Sequence, residues 1–213
     1  MDQHVLTIYE DKVERLIKNL ESNNMKGTYL KSREELTAYL NAQIEDGSLV
    51  SVGGSQTLFE LDLITYLRNR EIRFLDRYKG ELTGEEKKEL YRKSFFADFY
   101  FSSSNAITVD GHLYNVDHTG NRVAALLYGP EKVFVIVGIN KIVDSVEEAI
   151  ARVRAVAAPA NNVRLNRNTP CVKFGSCVDC KVEDRICNEY TLIKRQAEKN
   201  RIEVIILPFE LGY

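Results

Sequence analysis

No apolar run in this chain approaches the roughly 20 residues of a membrane-spanning helix. The longest runs, Val133–Val137 and Val204–Leu207, are strand-sized. Neither charge sign dominates: 29 Lys and Arg stand against 31 Asp and Glu, for a net charge of -2 and a pI near 6.0. Nucleic-acid binders carry a basic face, so this balance shows no such footprint, and no block of like charge marks an interaction tail. Internal repeats, low-complexity tracts and flexible Gly/Ser linkers are absent. The opening MDQHVLTIYEDKVERL has no apolar core of a signal peptide. The expectation is a cytoplasmic protein, without membrane insertion or a nucleic-acid partner, forming one domain over residues 1–213.

What is present is an ordinary globular balance, 44% hydrophobic and 28% charged, enough to bury a core. Val13, Leu16, Ile17 and Leu20 mark an amphipathic helix that Gly27 ends, before a strand at Thr28–Leu30. Ser32 with Glu35, Thr83 with Glu86 and Ser145 with Glu148 read as capping boxes opening three helices. Strands are predicted at Leu49–Val52, Ile72–Leu75, Phe99–Phe101 and Val133–Val137. The Ser145 helix turns Val146, Ala149, Ile150, Val153, Val156 and Ala157 inward, and Pro159 stops it. Residues 161–188 are polar and poor in periodicity; Tyr190–Ile193 and Ile202–Leu207 then read as a hairpin turning at Glu198–Asn200. Strands alternating with helices predict an α/β fold with a mostly parallel sheet and helices on both faces.

Two stretches carry the chemistry. Gly53-Gly54-Ser55-Gln56-Thr57 lies between a strand and a helix, so its backbone N–H groups and hydroxyls suit either an anion cradle or a tight turn capped by Ser55. It is neither a full dinucleotide fingerprint nor a Walker loop. Ser102–Arg122 (SSSNAITVDGHLYNVDHTGNR) packs small polar and charged groups around Asp110-Gly111, which favours a two-residue hairpin turn, and reads as a binding cleft. Of the three histidines, His4 lies in the N-terminal segment, His112 follows the turn and reads as exposed, and His118 sits in the cleft stretch. The four cysteines, Cys171, Cys177, Cys180 and Cys187, give C-x5-C-x2-C-x6-C. That set suits an iron–sulfur cluster or tetrahedral zinc, with two disulfides or four free thiols as the alternative.

The blocks VGGSQTLFEL, SSSNAITVDGHLYNVDHTGNRVAALLYGPEKVFVIVGINKIV, AAPANNVRL, TPCVKFGSCVDC and DRIC, with a terminal LGY, resemble the LUD domain, the lactate-utilisation family. The resemblance, closest to short cysteine-tailed members, implies the fold of ribose-phosphate isomerases, glucosamine-phosphate deaminases and coenzyme A transferases. It places a small anionic metabolite between Gly53, Gly54, Ser55 and Thr57 on one side and Asn105, Asp110, Asn115, Asp117, Asn121 and Arg122 on the other. Arg122 would grip the anion in bidentate fashion. Glu60 occupies the place of a transferase nucleophile, and His118 a position where the family often has glycine. The family's company of iron–sulfur redox proteins favours a cluster over zinc at the cysteines. The implied function is support of the oxidation of lactate or a related 2-hydroxy acid. The alternatives are a stand-alone enzyme on a sugar-phosphate, folate or coenzyme A substrate with structural cysteines, and a non-catalytic partner subunit. The sequence leaves open whether the chain is a homo-oligomer.

Overall fold

The structure, a computed structural model, describes residues 3–213. Helix α1 (Gln3–Ser22) leads into strand β1 (Lys26–Tyr29), α2 (Arg33–Gln43), β2 (Leu49–Val52), the short helices α3 (Gln56–Glu60) and α4 (Leu63–Arg68), and β3 (Arg73–Leu75). Next come α5 (Gly84–Lys93), β4 (Phe99–Ser102), β5 (Ala106–Thr108), β6 (Leu113–Asp117), α6 (Asn121–Leu127) and β7 (Lys132–Gly138). The chain finishes with β8 (Ile142–Val143), α7 (Val146–Arg152), α8 (Ala158–Arg164), α9 (Pro170–Phe174), β9 (Glu189–Ile193) and β10 (Ile202–Leu207).

The main sheet has the order β1-β10-β7-β4-β2-β3, and every pair in it is parallel. Parallel strands are covered on both faces and so read as continuous apolar runs. In β7, alternate residues divide between the two layers. Val133, Val135 and Val137 join Leu16 and Leu20 of α1 and Leu126 of α6, while Phe134 and Ile136 join Leu36 and Leu40 of α2 and Leu58 of α3. The α/β architecture read from the sequence is therefore the observed one. A smaller sheet, β8-β5-β6-β9, packs beside it.

Several local expectations are revised. Gly27 does not end α1; it lies within β1, where a Cβ would meet Ile17 Cγ1 at 2.9 Å, so glycine lets the helix approach the strand. The helical pattern after Ser55 breaks into α3 and α4 at Asp62, which has left-handed backbone. The Asp110-Gly111 hairpin has a three-residue loop: Thr108 pairs with His112, Gly111 N–H bonds the Thr108 carbonyl, and only Gly111 takes positive φ. Pro159 does not stop its helix. A π-helical turn at Val153–Ala157 carries the chain from α7 into α8, with Pro159 near the start of the new segment, where its missing N–H does no harm. That rotation leaves Ala149, Val153 and Ala157 buried and Ile150 and Val156 exposed. The C-terminal strands form no hairpin: β9 pairs with β6 in the small sheet, and β10 enters the main sheet between β1 and β7.

Candidate functional site

From β2 the winding runs outward to edge strand β3; from β4 it runs the other way, through β7 to β10. The switch point lies between the carboxyl ends of β2 and β4, where open α/β sheets leave a crevice. Gly53 and Gly54 leave the sheet there, Gly53 N–H bonding the Phe101 carbonyl at 2.8 Å. A Cβ on Gly53 would meet Tyr100 Oη at 2.8 Å and Arg122 Cγ at 3.0 Å, so that position admits only glycine without displacement. Ser55 caps α3 by accepting from Leu58 N–H.

A cavity of about 190 Å³ opens at this point. Of the residues expected from the sequence, Gly54, Ser55, Asn105, Asp117, Asn121 and Arg122 line it, together with His118, Ser103 and Ser104. Gly53 and Thr57 stand behind the wall. Asn115 and Asp110 do not reach it. Asn115 is fully buried on β6 with neither amide atom bonded to protein. Asp110 sits at the hairpin tip docked on α1, its carbonyl accepting from Asn23. His112 is half-buried rather than exposed, and His4 lies in the first turn of α1. Glu60 is occupied as well, accepting from Gly212 N–H at 2.6 Å.

Arg122 is the hub of the polar wall. Its Nε donates to Asp117 Oδ1 at 2.8 Å, one Nη to the Ser103 carbonyl, and the other to Asn105 Oδ1 and the Val116 carbonyl. Asp117 Oδ2 accepts from the backbone N–H groups of Arg122 and Val123, capping α6 from the end of β6. Four of the five guanidinium N–H groups are thereby engaged, so a bidentate grip on a ligand would require giving up an internal bond.

Most of the positive charge at the site comes from residues outside the two sequence motifs. Arg77, Lys141, Arg164 and Arg167 line the cavity with Arg122, and Asp117 is the single acidic side chain among the lining residues. Arg77 is propped between Tyr91, whose hydroxyl it bonds at 2.7 Å, and the ring of Tyr78. Arg167 pairs through one Nη with Asp184 at 3.5 Å, while its Nε is buried without a partner. Lys141 is 2% exposed and has no carboxylate within ion-pair distance among the described residues; its Nζ donates to Thr57 Oγ1 at 2.8 Å and Ser103 Oγ at 2.9 Å. Burial pushes its amine down to about 7, Arg152 and Arg122 push the same way, and Glu60 opposes them. One signal was available: a lone charged residue in the mostly apolar run VFVIVGINKIV.

All four cysteines are free. Cys171 is buried against the Thr169 hydroxyl, and Cys177 Sγ accepts from Asp179 N–H. Burial pushes the Cys187 thiol up; Arg185 opposes this, and the other three cysteines add to it, so the four are electrostatic neighbours. Arg185 ties the loop by donating to the Cys180 and Cys187 carbonyls. The donor chemistry suits a thiolate-bound metal, yet among the described residues no three His, Cys, Asp or Glu side chains gather closely enough to hold an ion. Ile186, next to Cys187, is part of the cavity wall.

The fold and cavity define a class: a doubly covered parallel α/β protein with a cationic crevice at the switch point of its sheet. A family model for the LUD domain matches residues 13–207, and the chain belongs to that family, which is associated with lactate utilisation. Among solved structures it is similar to a DUF162 family protein from Deinococcus radiodurans, DUF162 being the older name of the domain. The TM-score is 0.54 at 13% identity, covering 94% of this chain and 98% of that one, a likeness of fold. No curated protein matches the sequence. Among the described residues no helix is long and apolar enough to cross a membrane.

Proposed function

We propose that the cavity binds a small anionic metabolite and that the protein supports oxidation of lactate or a related 2-hydroxy acid. One observation carries the binding: the guanidinium groups of Arg77, Arg122, Arg164 and Arg167 line the cavity with Asp117 as its single acidic side chain, Arg122 pairing with Asp117 and Arg167 reaching Asp184 outside the lining at 3.5 Å. Clustered cations are relieved by a bound carboxylate or phosphate, and partial desolvation strengthens the attraction. At about 190 Å³ the space is smaller than pockets for drug-sized ligands, roughly 300–1,000 Å³, and suits a molecule of hydroxy-acid size. The link to 2-hydroxy acids rests on the family's association with lactate utilisation. The surplus of guanidinium groups favours a second reading, a phosphate-bearing substrate.

The test is a melting-temperature panel of lactate, pyruvate, inorganic phosphate and sugar phosphates. At least one should raise the transition, and the double variant Arg77→Gln/Arg167→Gln should lose that rise. A flat panel, or an undiminished rise in the variant, would contradict the reading.

For the cysteines we propose an iron–sulfur cluster held by Cys171, Cys177, Cys180 and Cys187, with zinc as the alternative. The group would supply electron transfer beside the cavity. Protein purified without oxygen should be brown, contain iron and sulfide, and bleach with dithionite. Colourless protein holding stoichiometric zinc would remove the redox role.

A further inference from the structure

We propose that Lys141 is a carbonyl-reactive amine, which forms an imine with a 2-oxo acid whose carboxylate is held by the arginines of the cavity. This rests on the anion-binding reading above and goes beyond it, from binding to covalent chemistry. Three observations meet at Nζ. The amine is almost fully buried, yet it is part of the cavity wall. It has no carboxylate within ion-pair distance among the described residues, so no direct ion pair holds an ammonium there. Its two hydrogen bonds, to Thr57 Oγ1 and Ser103 Oγ, use the two N–H groups that a neutral amine possesses. The lone pair then remains for a carbonyl carbon.

The hydroxyls themselves are oriented to accept. Thr57 Oγ1 donates onward to the Leu211 carbonyl, and Ser103 Oγ donates to Thr57 Oγ1 or the Ser104 carbonyl. The charged groups around the amine favour its neutral form. Arg122 on α6 and Arg152 at the end of α7 act in that direction, and Glu60 of α3, already bonded to Gly212, acts against it. A lysine desolvated beside other cations is the known way to obtain a nucleophilic amine at neutral pH. Arg152 is fixed, donating to the carbonyls of Asn140 and Asn105.

In the step itself, the nitrogen lone pair forms the N–C bond as the carbonyl π bond breaks onto oxygen. Loss of that oxygen as water, carrying both amine protons, leaves the C=N bond. No oxidant or further reactant is needed. A 2-oxo acid is the fitting electrophile because its carboxylate is adjacent to the carbonyl, so one small molecule engages both the guanidinium groups and the amine.

The test incubates the full chain with pyruvate and sodium cyanoborohydride near pH 7.5, followed by intact mass and peptide mapping. The expected result is one reduced adduct per chain on the peptide bearing Lys141, suppressed by excess inorganic phosphate. Acetone, a ketone that lacks the carboxylate, should label about tenfold more slowly, the effect of losing one hydrogen bond to a charged group. The Lys141→Arg variant should give no such adduct, and the wild-type peptide map decides the matter even if that variant fails to fold. Adducts spread over other lysines, or no adduct, would overturn the proposal. If pyruvate still raises the melting temperature in that case, the imine is wrong and the anion site stands; if it does not, pyruvate binding fails as well.

Discussion

Replacing Arg122 by alanine is expected to destabilise the protein by about 3 kcal/mol, the lower end of the cost of breaking a buried ion pair. Both partners are 9% exposed at the side chain, so the pair is largely desolvated. The loss reaches beyond Asp117: the Ser103 and Val116 carbonyls and Asn105 Oδ1 all lose a donor. The cost stays at the lower end because Asp117 keeps the two backbone N–H groups of α6. For a chain of this size the shift corresponds to roughly 6–12 °C in melting temperature. Arg122→Lys should fall between the two, since a point charge replaces a planar fork. Urea unfolding gives the number, and a loss below about 1 kcal/mol, the value of an exposed pair, would mean that Arg122 is not the hub described.

Gly138→Ala is the second large effect, expected to cost about 3 kcal/mol by overpacking. Gly138 ends β7, and a Cβ there would fall against the Phe209 carbonyl oxygen and 2.7 Å from Leu211 N. Those atoms are backbone and already bonded, the first to Ile139 N–H and the second to Asn140 Oδ1. Neither can retreat without releasing the segment that follows β10. That segment contributes Tyr213 to the cavity wall, so the variant should lose anion binding along with stability. Gly47→Ala is the control. It has no atom within 4 Å of a new Cβ but a φ of +78°, so it should cost only about 1 kcal/mol of backbone strain and leave binding intact. Equal losses in the two variants would show that packing at Gly138 is not the cause.

These residues also show how much was legible in the sequence. Capping is local, three residues apart, and Ser32, Thr83 and Ser145 each accept from the backbone N–H of the glutamate three positions on. The buried strands announce themselves because both faces are apolar, as in Val133–Val137. What failed depends on partners distant in the chain. Tyr190–Ile193 has the composition of a strand, but nothing local says that it pairs with Leu113–Asp117 rather than with Ile202–Leu207. Pro159 looked like a stop because the π-helical turn that accommodates it leaves no residue signature. At the site, Gly54, Ser55, Asn105, Asp117, Asn121 and Arg122 lie in two contiguous motifs and could be read together. Arg77 follows β3, Arg164 ends α8 and Arg167 lies beyond it, so only the fold brings them to one wall. Asn115 was misplaced because it sits too deep in its strand. It is fully buried beside Leu113 within β6, whereas Val116 and Asp117, at the end of the strand, reach the cavity.

The central claim is that an anion enters the crevice between β2 and β4. Selenate soaked into crystals of the protein reports this directly, because its anomalous signal locates the ion without prior assumption. The account predicts a peak in the cavity, within hydrogen-bond reach of Arg77 and Arg167 and close to Lys141, that is lost in Arg77→Gln/Arg167→Gln. A cavity without selenium, with ions only at exposed surface lysines, would contradict it.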